Sequence, residues 1–506
     1  MHWISRPGWP GHLIALAAGA LMPLALAPFD LWPLGLLSIA LFYLSLRQSE
    51  GRHGFWRGWW YGFGTFAAGT SWVYVSIHEY GAAPVPLAAL LTLLFVAGLG
   101  LLFALPAWLW CRWLRRTQAP LSDALSFAAL WLALEWLRSW LLTGFPWLYA
   151  GYAQLDGPLA GLAPLGGVWL LSFSLALSAA LLVNLQACYP QRPRLLMALL
   201  LLALPWASGL LLKGQAWTQP AGAPLKVTAV QGNIEQDLKW QPQQLQAQLA
   251  LYRELTLNAA PADLYVWPET AVPVLKEYAE GYLGVMAQRA RERQAALITG
   301  LPVRETDAEG RNRYYNALQA LGEGDGLYFK QKLVPFGEYV PLQELLRGLI
   351  AFFDLPMSDF ARGPAGQSLL QAKGYAIAPF ICYEVVYPQF AAALAADSQL
   401  LLTVSNDAWF GRSIGPLQHL QMAQMRALES GRWMIRATNN GVTALIDPQG
   451  RLSAQAPSFE RTLLHGEVLP MQGLTPYLRW GLVPLGSLCL LLLGHALLQR
   501  RRESRR

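Results

Sequence analysis

The chain has 506 residues, of which 54% are hydrophobic and only 14% charged, with 22 tryptophans and a formal net charge of +7. That is too apolar for an ordinary soluble enzyme, long enough for two or three domains, and rich in the residue that gathers at membrane interfaces. The positive balance is not a nucleic-acid footprint, because the basic residues sit at segment ends and in the Arg500–Arg506 tail.

The averages hide a division. Residues 11–213 are nearly all apolar, residues 224–470 have the mix of a soluble domain, and residues 480–499 are apolar again. This predicts a membrane helical bundle over 1–215, an extramembrane α/β domain over 224–470, a final span over 480–499 and a basic tail over 500–506. A spanning helix needs about 20 predominantly apolar residues. Eight stretches qualify: 11–29, 31–47, 56–76, 87–113, 121–142, 165–188, 194–213 and 480–499. Only Pro28-Phe-Asp-Leu-Trp-Pro33 separates the first two, which predicts a tight helical hairpin.

Orientation follows from Lys and Arg placement. One set of connections holds Arg47, Arg52 and Arg57, then Arg112, Arg115 and Arg116, then Arg192 and Arg194, then the terminal arginines. The other set, around 78–86 and 138–158, carries only Arg138. Both termini are therefore expected in the cytoplasm and the large domain outside, in the periplasm of a Gram-negative cell. Ala25-Leu-Ala27 resembles a signal-peptide cleavage site, but Arg6 is the only charge before it and a second span follows at once. Glu135 lies inside a span, where a carboxylate is a functional candidate; Arg138, three residues on, offers the plainer reading of a helix-face ion pair.

In the extramembrane part, β-like runs cover 226–230, 264–267, 296–299, 315–321, 327–333, 375–381, 400–404, 433–438, 442–446 and 463–468. Helical patterns cover 241–259, 278–294 and 415–430. Such mixing predicts an α/β or α+β sandwich with helices on the sheet faces and a site where strand ends meet. Of the four cysteines, Cys111, Cys188 and Cys489 fall in spans or at their cytoplasmic ends, so Cys382 alone belongs to the exported domain. A lone thiol in an oxidising compartment points to reactivity, set against the plain alternative of a buried inert cysteine.

Cys382 closes the run 375–381 in the stretch Pro379-Phe-Ile-Cys-Tyr-Glu-Val-Val-Tyr-Pro388. A cysteine nucleophile needs a base and a cationic or N–H donor for the developing oxyanion. Glu269 stands at the proline-broken tip of Asp263-Leu-Tyr-Val-Trp-Pro268, and Lys330 lies in the aromatic and aliphatic stretch Tyr328-Phe-Lys-Gln-Lys-Leu-Val-Pro-Phe-Gly-Glu-Tyr-Val-Pro341. Singly, an exposed Glu or Lys explains each as well. Lys332 competes with Lys330, since both face one side of a strand and alternation cannot choose between them.

Glu, Lys and Cys closing strands in that order resemble the carbon–nitrogen hydrolase (nitrilase) superfamily. Val230-Gln-Gly-Asn-Ile234, Trp267-Pro-Glu-Thr270, Leu333-Val-Pro-Phe-Gly-Glu-Tyr339, Ser405-Asn-Asp-Ala-Trp-Phe-Gly411 and Thr438-Asn-Asn-Gly441 narrow the resemblance to apolipoprotein N-acyltransferases. The resemblance covers almost the whole chain. It implies a nitrilase-like αββα sandwich, with Glu269 as base, Lys330 as oxyanion stabiliser and Cys382 as acyl-accepting nucleophile. Glu338, Glu384, Tyr383 and Trp240 match further site positions. One departure is that Gln331-Lys332-Leu333 follows Lys330, where the family often has Lys-x-His-Leu.

The resemblance also supplies the substrates: a phospholipid acyl donor, and a lipoprotein whose N-terminal cysteine already carries diacylglycerol. A thioester on Cys382 would link two half-reactions, with no cofactor, metal or nucleic acid. His419 and His465 read as ordinary polar positions. Apolar elements at Leu342–Phe360 and around Trp409 are expected to admit lipid tails and exclude water. The chain shows no coiled coil, and a monomer is expected. Two competing readings are a membrane-anchored amidase or nitrilase that releases an acid, and a transporter or receptor. Few charges in the spans and no evident inverted repeat count against the latter.

Overall fold

The computed structural model describes residues 8–116, 118–335, 337–339 and 360–503. The apolar arm expected over Leu342–Phe360 lies outside the described residues, Phe360 apart. The chain divides into two compact units, one of Met1–Tyr74, Pro86–Gln215 and Trp480–Arg506, the other of Val75–Val85 and Ala216–Arg479. The segment Val75–Val85, which takes in most of the connection expected over 78–86, thus belongs with the second unit.

The first unit is helical. Its long helices are Trp9–Leu21, Trp32–Leu46, Gly51–Thr70, Val85–Leu109, Pro120–Arg138, Ala163–Cys188, Arg192–Leu212 and Val483–Glu503. Among the described residues, four segments are long and apolar enough by themselves to cross a bilayer: Val85–Leu114, Ala160–Cys188, Arg192–Leu212 and Val483–Arg502. The remaining four fall short for visible reasons. Trp9–Ala25 and Trp32–Leu46 are shorter. Gly51–Thr70 carries Arg52, His53 and Arg57 besides its glycines, and Pro120–Arg138 carries Asp123, Glu135 and Arg138.

Gly54, Gly58 and Gly62 are four residues apart and share one helix face. A Cβ at Gly58 would lie 2.5 Å from the Phe103 carbonyl oxygen, and one at Gly62 2.9 Å from the Gly100 Cα. Backbone therefore packs on backbone along Val85–Leu109, the small-residue packing that membrane helices use. Glu135 and Arg138 do not form the expected ion pair. Glu135 accepts hydrogen bonds from Trp131 Nε1 (3.0 Å) and the Ala150 amide (2.9 Å). The Arg138 guanidinium instead lies over the rings of Phe66 (4.9 Å) and Tyr149 (5.1 Å).

The second unit is a two-sheet sandwich. Its strands are β1 (Gln219–Pro220), β2 (Leu225–Gln231), β3 (Leu264–Val266), β4 (Ala296–Thr306), β5 (Asn312–Gly322), β6 (Gly324–Asp325), β7 (Leu327–Phe329), β8 (Leu370–Ala372), β9 (Tyr375–Ile381), β10 (Leu400–Ser405), β11 (Met434–Thr438), β12 (Ala444–Ile446), β13 (Leu452–Gln455), β14 (Thr462–Val468) and β15 (Met471–Gln472). One sheet runs β14-β2-β3-β4-β5-β7 and the other β13-β12-β11-β10-β9-β8-β6, while β1 pairs with β15. In each sheet the central strands are parallel: β2 with β3 and β3 with β4, and β9 with β10 and β10 with β11.

Alternation along these strands builds the layers. Val227, Ala229, Leu264, Val266 and Ile298 of one sheet meet Ile377, Leu402, Val404, Ile435 and Ala437 of the other in a single buried core. The intervening residues, Tyr265 and Leu297 among them, pack outward against Leu249 and Tyr252 of the helix Leu245–Asn258 and against Leu283 and Met286 of Lys276–Glu292. Helices Pro388–Ala396 and Gly415–Ser430 pack against β9 and β11 of the second sheet. The result is the expected αββα sandwich.

Candidate active site

Parallel strands end on one side, and in open α/β sheets that carboxyl edge is where ligands bind. Here β3 and β9 release the chain there just before Glu269 and at Cys382. Pro268 has no amide to continue the β3 ladder, so the chain turns and Glu269 stands at the tip, almost fully buried. Cys382 follows β9 in the left-handed region, at φ 51°, and opens the short helix Cys382–Val386. That turn presents the thiol at the edge instead of burying it between the sheets. Lys330 comes from the edge strand β7, one residue past its end.

The three carboxylate and ammonium groups meet. Lys330 Nζ donates to Glu338 Oε1 at 2.7 Å and to Glu269 Oε1 at 3.3 Å, with the lysine side chain 1% exposed. Asn316 Nδ2 bridges the same two oxygens, at 2.8 Å from Glu269 and 3.2 Å from Glu338. The second oxygen of Glu269 accepts the Asn406 amide at 2.9 Å, and that of Glu338 accepts the Val334 amide at 2.9 Å. Glu269 and Lys330 are also the largest charged influences on the Cys382 thiol, acting in opposite directions. Lys332 is set apart: its ammonium lies over the rings of Tyr387 and Phe390, at 5.4 and 5.6 Å.

The other expected residues take different places. Glu384 is fully buried and accepts from the Ile381 amide (2.8 Å), the Gln331 amide (2.6 Å) and Tyr328 Oη (3.0 Å). It therefore staples the cysteine turn to the lysine turn. Tyr383 packs edge-on to Tyr387 at 5.3 Å. Trp240 follows the helix Gln236–Lys239, and its Nε1 is buried without a hydrogen-bond partner. Trp409 sits on the 3-10 turn Asp407–Phe410, where its carbonyl accepts Ser76 Oγ (2.7 Å) and its ring meets that of Tyr80.

Comparison with known proteins decides the family. Residues 18–181 match the family described as apolipoprotein N-acyltransferase N-terminal domain, and residues 226–472 match carbon-nitrogen hydrolase. An apolipoprotein N-acyltransferase of Azotobacter vinelandii is 72% identical over 99% of this chain and 98% of its own length. That of Pseudomonas aeruginosa is 71% identical over the same shares, and that of Coxiella burnetii 40% identical over 95% of this chain and 98% of its own. The chain belongs to the apolipoprotein N-acyltransferase family. It is an acyltransferase of the nitrilase superfamily and a membrane protein, and every site residue named above lies in the part that matches carbon-nitrogen hydrolase.

Beyond the residues that the family resemblance marks, the site uses several that sequence reasoning missed. Asn316 lies in the interior of β5, where no sequence signal separates it from a surface asparagine. Asn406 lies in a quoted motif but acts through its amide. Lys239 buries its ammonium against the Glu269 carbonyl at 2.9 Å. Behind the cysteine, Arg436 Nη2 donates to Asp407 Oδ2 (2.7 Å) and to His419 Nδ1 (3.2 Å), and His419 Nε2 reaches the Cys382 carbonyl (3.1 Å). Nδ1 also lies 3.3 Å from Asp407 Oδ1, and it is the Cys382 carbonyl, which can only accept, that calls for a proton on Nε2. His419 is thus a buried support of the cysteine turn, while His465 meets only the ordinary expectation, with Nδ1 at 2.9 Å from Thr228 Oγ1.

The electrostatics follow from burial and this charge layout. Desolvation, then Glu269, raise the Cys382 pKa well above the ordinary thiol range, with Lys330 opposing. Burial alone would lower Lys330, but Glu269 and Glu338 together drive it upward, so the ammonium stays charged. Burial lowers Lys239 to about 8 and His419 below its ordinary value, and raises Glu384 to about 7. Among the described residues, no three His, Cys, Asp or Glu side chains are placed to hold a metal ion together.

Proposed function

We propose that the protein transfers an acyl chain from a phospholipid, through a thioester on Cys382, to the α-amino group of the N-terminal S-diacylglyceryl cysteine of apolipoproteins. The observation that carries this reading is the Lys330 ammonium clamped between Glu269 and Glu338 beside the cysteine turn. Because its pKa is raised, the thiol is protonated at rest. A thiolate must therefore be made with substrate in place, by proton transfer to Glu269. The thiolate attacks the ester carbonyl. Lys330 has three N–H groups and gives two to carboxylates, so the third is available to the oxyanion. An amide at the start of Cys382–Val386 supplies a second donor.

Glu269 then returns its proton to the lysophospholipid oxygen as that bond breaks, leaving the acyl group on sulfur. In the second half, the lipoprotein amine attacks the thioester, Glu269 takes the amine proton, and the thiolate departs. Glu338 and Asn316 hold Lys330 and Glu269 in register, and Glu384 holds the two turns together. Tyr383, Trp240 and Trp409 supply aromatic surface for the acyl chains. One chain provides every group invoked, so a monomer suffices. Placement in the inner membrane, with eight spans, a periplasmic catalytic unit and cytoplasmic termini, fits the arginine bias.

The test is intact-mass measurement of the full-length protein in detergent after incubation with a phospholipid of defined chains. One acyl adduct is expected on Cys382, absent in Cys382→Ala, and discharged as amide by a diacylated lipopeptide. Release of free fatty acid with no acylated lipopeptide would establish the hydrolase reading instead.

A further inference from the structure

We propose that a cavity at the arginine-rich end of the helical unit binds the phosphate headgroup of an anionic glycerophospholipid, at a site separate from the acyl-transfer chemistry. The cavity has a volume of about 490 Å³ and is walled entirely by residues of that unit. Its wall has two characters. Arg116, Arg194, His495 and Ser122 form a polar part, and Leu125 and Leu492 belong to an apolar part. A concave site with an apolar wall and a few convergent polar groups fits an amphiphile better than a free ion.

The charge there is strongly one-sided. Arg194 is exposed, its guanidinium reaches only the Gln118 carbonyl at 3.5 Å, and it has no carboxylate partner among the described residues. Arg116 is held at the cavity wall by a hydrogen bond from its guanidinium to Gln499 Oε1. Arg112, Arg115, Arg192 and Arg500 to Arg502 add cationic charge at the same helix ends. Asp123, bound to the Arg116 amide, is a carboxylate in this neighbourhood, and Glu503 closes the same helix as Arg500 to Arg502. The helix Pro120–Arg138 also begins at the cavity, so its positive dipole end and first-turn amides face the same space.

Location chooses the lipid. The cavity lies at the ends of Arg192–Leu212 and Val483–Glu503, two helices apolar enough to cross a bilayer. A basic pocket between membrane helices is where an anionic headgroup is held while its chains stay in the bilayer. Guanidinium forks match phosphate oxygens two at a time. A zwitterionic lipid offers the same phosphate but brings an ammonium into a field of arginines.

The experiment uses full-length protein in detergent, with native mass spectrometry against phosphatidylglycerol and phosphatidylethanolamine of identical chains. Wild type is expected to retain phosphatidylglycerol about tenfold or more tightly, and Arg116→Gln combined with Arg194→Gln to erase that preference. No preference in wild type, or its persistence in the double variant, overturns the proposal. Should the double variant fail to fold, Leu125→Trp fills the cavity with both arginines intact. It should lose phosphatidylglycerol equally, and retention would overturn the site. Thermal unfolding in inorganic phosphate separates the sources. Stabilisation equal to that by phosphatidylglycerol would make this a free-anion site and defeat the lipid assignment.

Discussion

Lys239 places a buried ammonium against the Glu269 main-chain carbonyl, with burial pulling its pKa down from 10.5 to about 8 while Glu269 and Cys382 oppose. Between those two values the unfolded chain holds a proton that the folded one has released. Stability attributable to this group must therefore rise as pH climbs from about 8 to 10.5. The rise is on the order of 3 kcal/mol for a shift of this size. Lys239→Met should abolish it, so that wild type and variant diverge in denaturant unfolding followed from pH 7 upward. Parallel pH profiles would sink the assignment. Lys239 also shows where residue-level reading stops. Glu269, Lys330 and Cys382 were legible because each interrupts or closes an apolar strand, which is a pattern along the chain. Lys239 sits on a four-residue helix and Asn316 inside a strand. Their importance arises from what lies across the sheet edge, which a one-dimensional pattern does not carry.

The elements were legible where one period dominates. The strand Tyr375–Ile381 and the helix Gly415–Ser430 were expected at their observed bounds. The run expected over 327–333 ends at Phe329 instead, because Gln331 and Lys332 give their amides to Glu384 and not to a neighbouring strand. Nine residues of Pro388–Ala396 and the two-residue strands are too short for periodicity to declare itself. The glycine face of Gly51–Thr70 was also passed over, since apolar content alone does not say which face touches backbone. At Gly58 a Cβ would meet the Phe103 oxygen at 2.5 Å and Ala107 Cβ at 2.7 Å, whereas at Gly98 nothing lies within 4 Å. Gly58→Ala should therefore force two helices apart and cost about 1–3 kcal/mol. Gly98→Ala should be neutral or stabilising by up to about 1 kcal/mol, from helix propensity alone. Thermal unfolding of both in one detergent checks this, and equal shifts would remove the case for backbone contact at Gly58.

At the scale of the molecule, orientation can be argued from two helices alone, without a total span count. Arg192–Leu212 begins with arginines and ends apolar; Val483–Glu503 begins apolar and ends with Arg500, Arg501 and Arg502. Both are apolar and long enough to cross a bilayer. If both cross, their arginine ends share one side, and residues 216–479, which lie between them, occupy the other. Positive charge stays cytoplasmic, and this supports the proposal that the nitrilase-like unit is exported, with Cys382 where thiols are usually oxidised. That placement also fits the cysteine pattern, since Cys111, Cys188 and Cys489 are buried in the helical unit and Cys382 is half-buried at its turn. A membrane-impermeant maleimide tests it on cells of a Gram-negative host. Gly310→Cys, on an exposed turn of the catalytic unit, should label in intact spheroplasts above the parent level. Gln191→Cys, exposed beside Arg192, should label only after the inner membrane is opened. The reverse pattern would invert the protein in the membrane and overturn the proposed orientation.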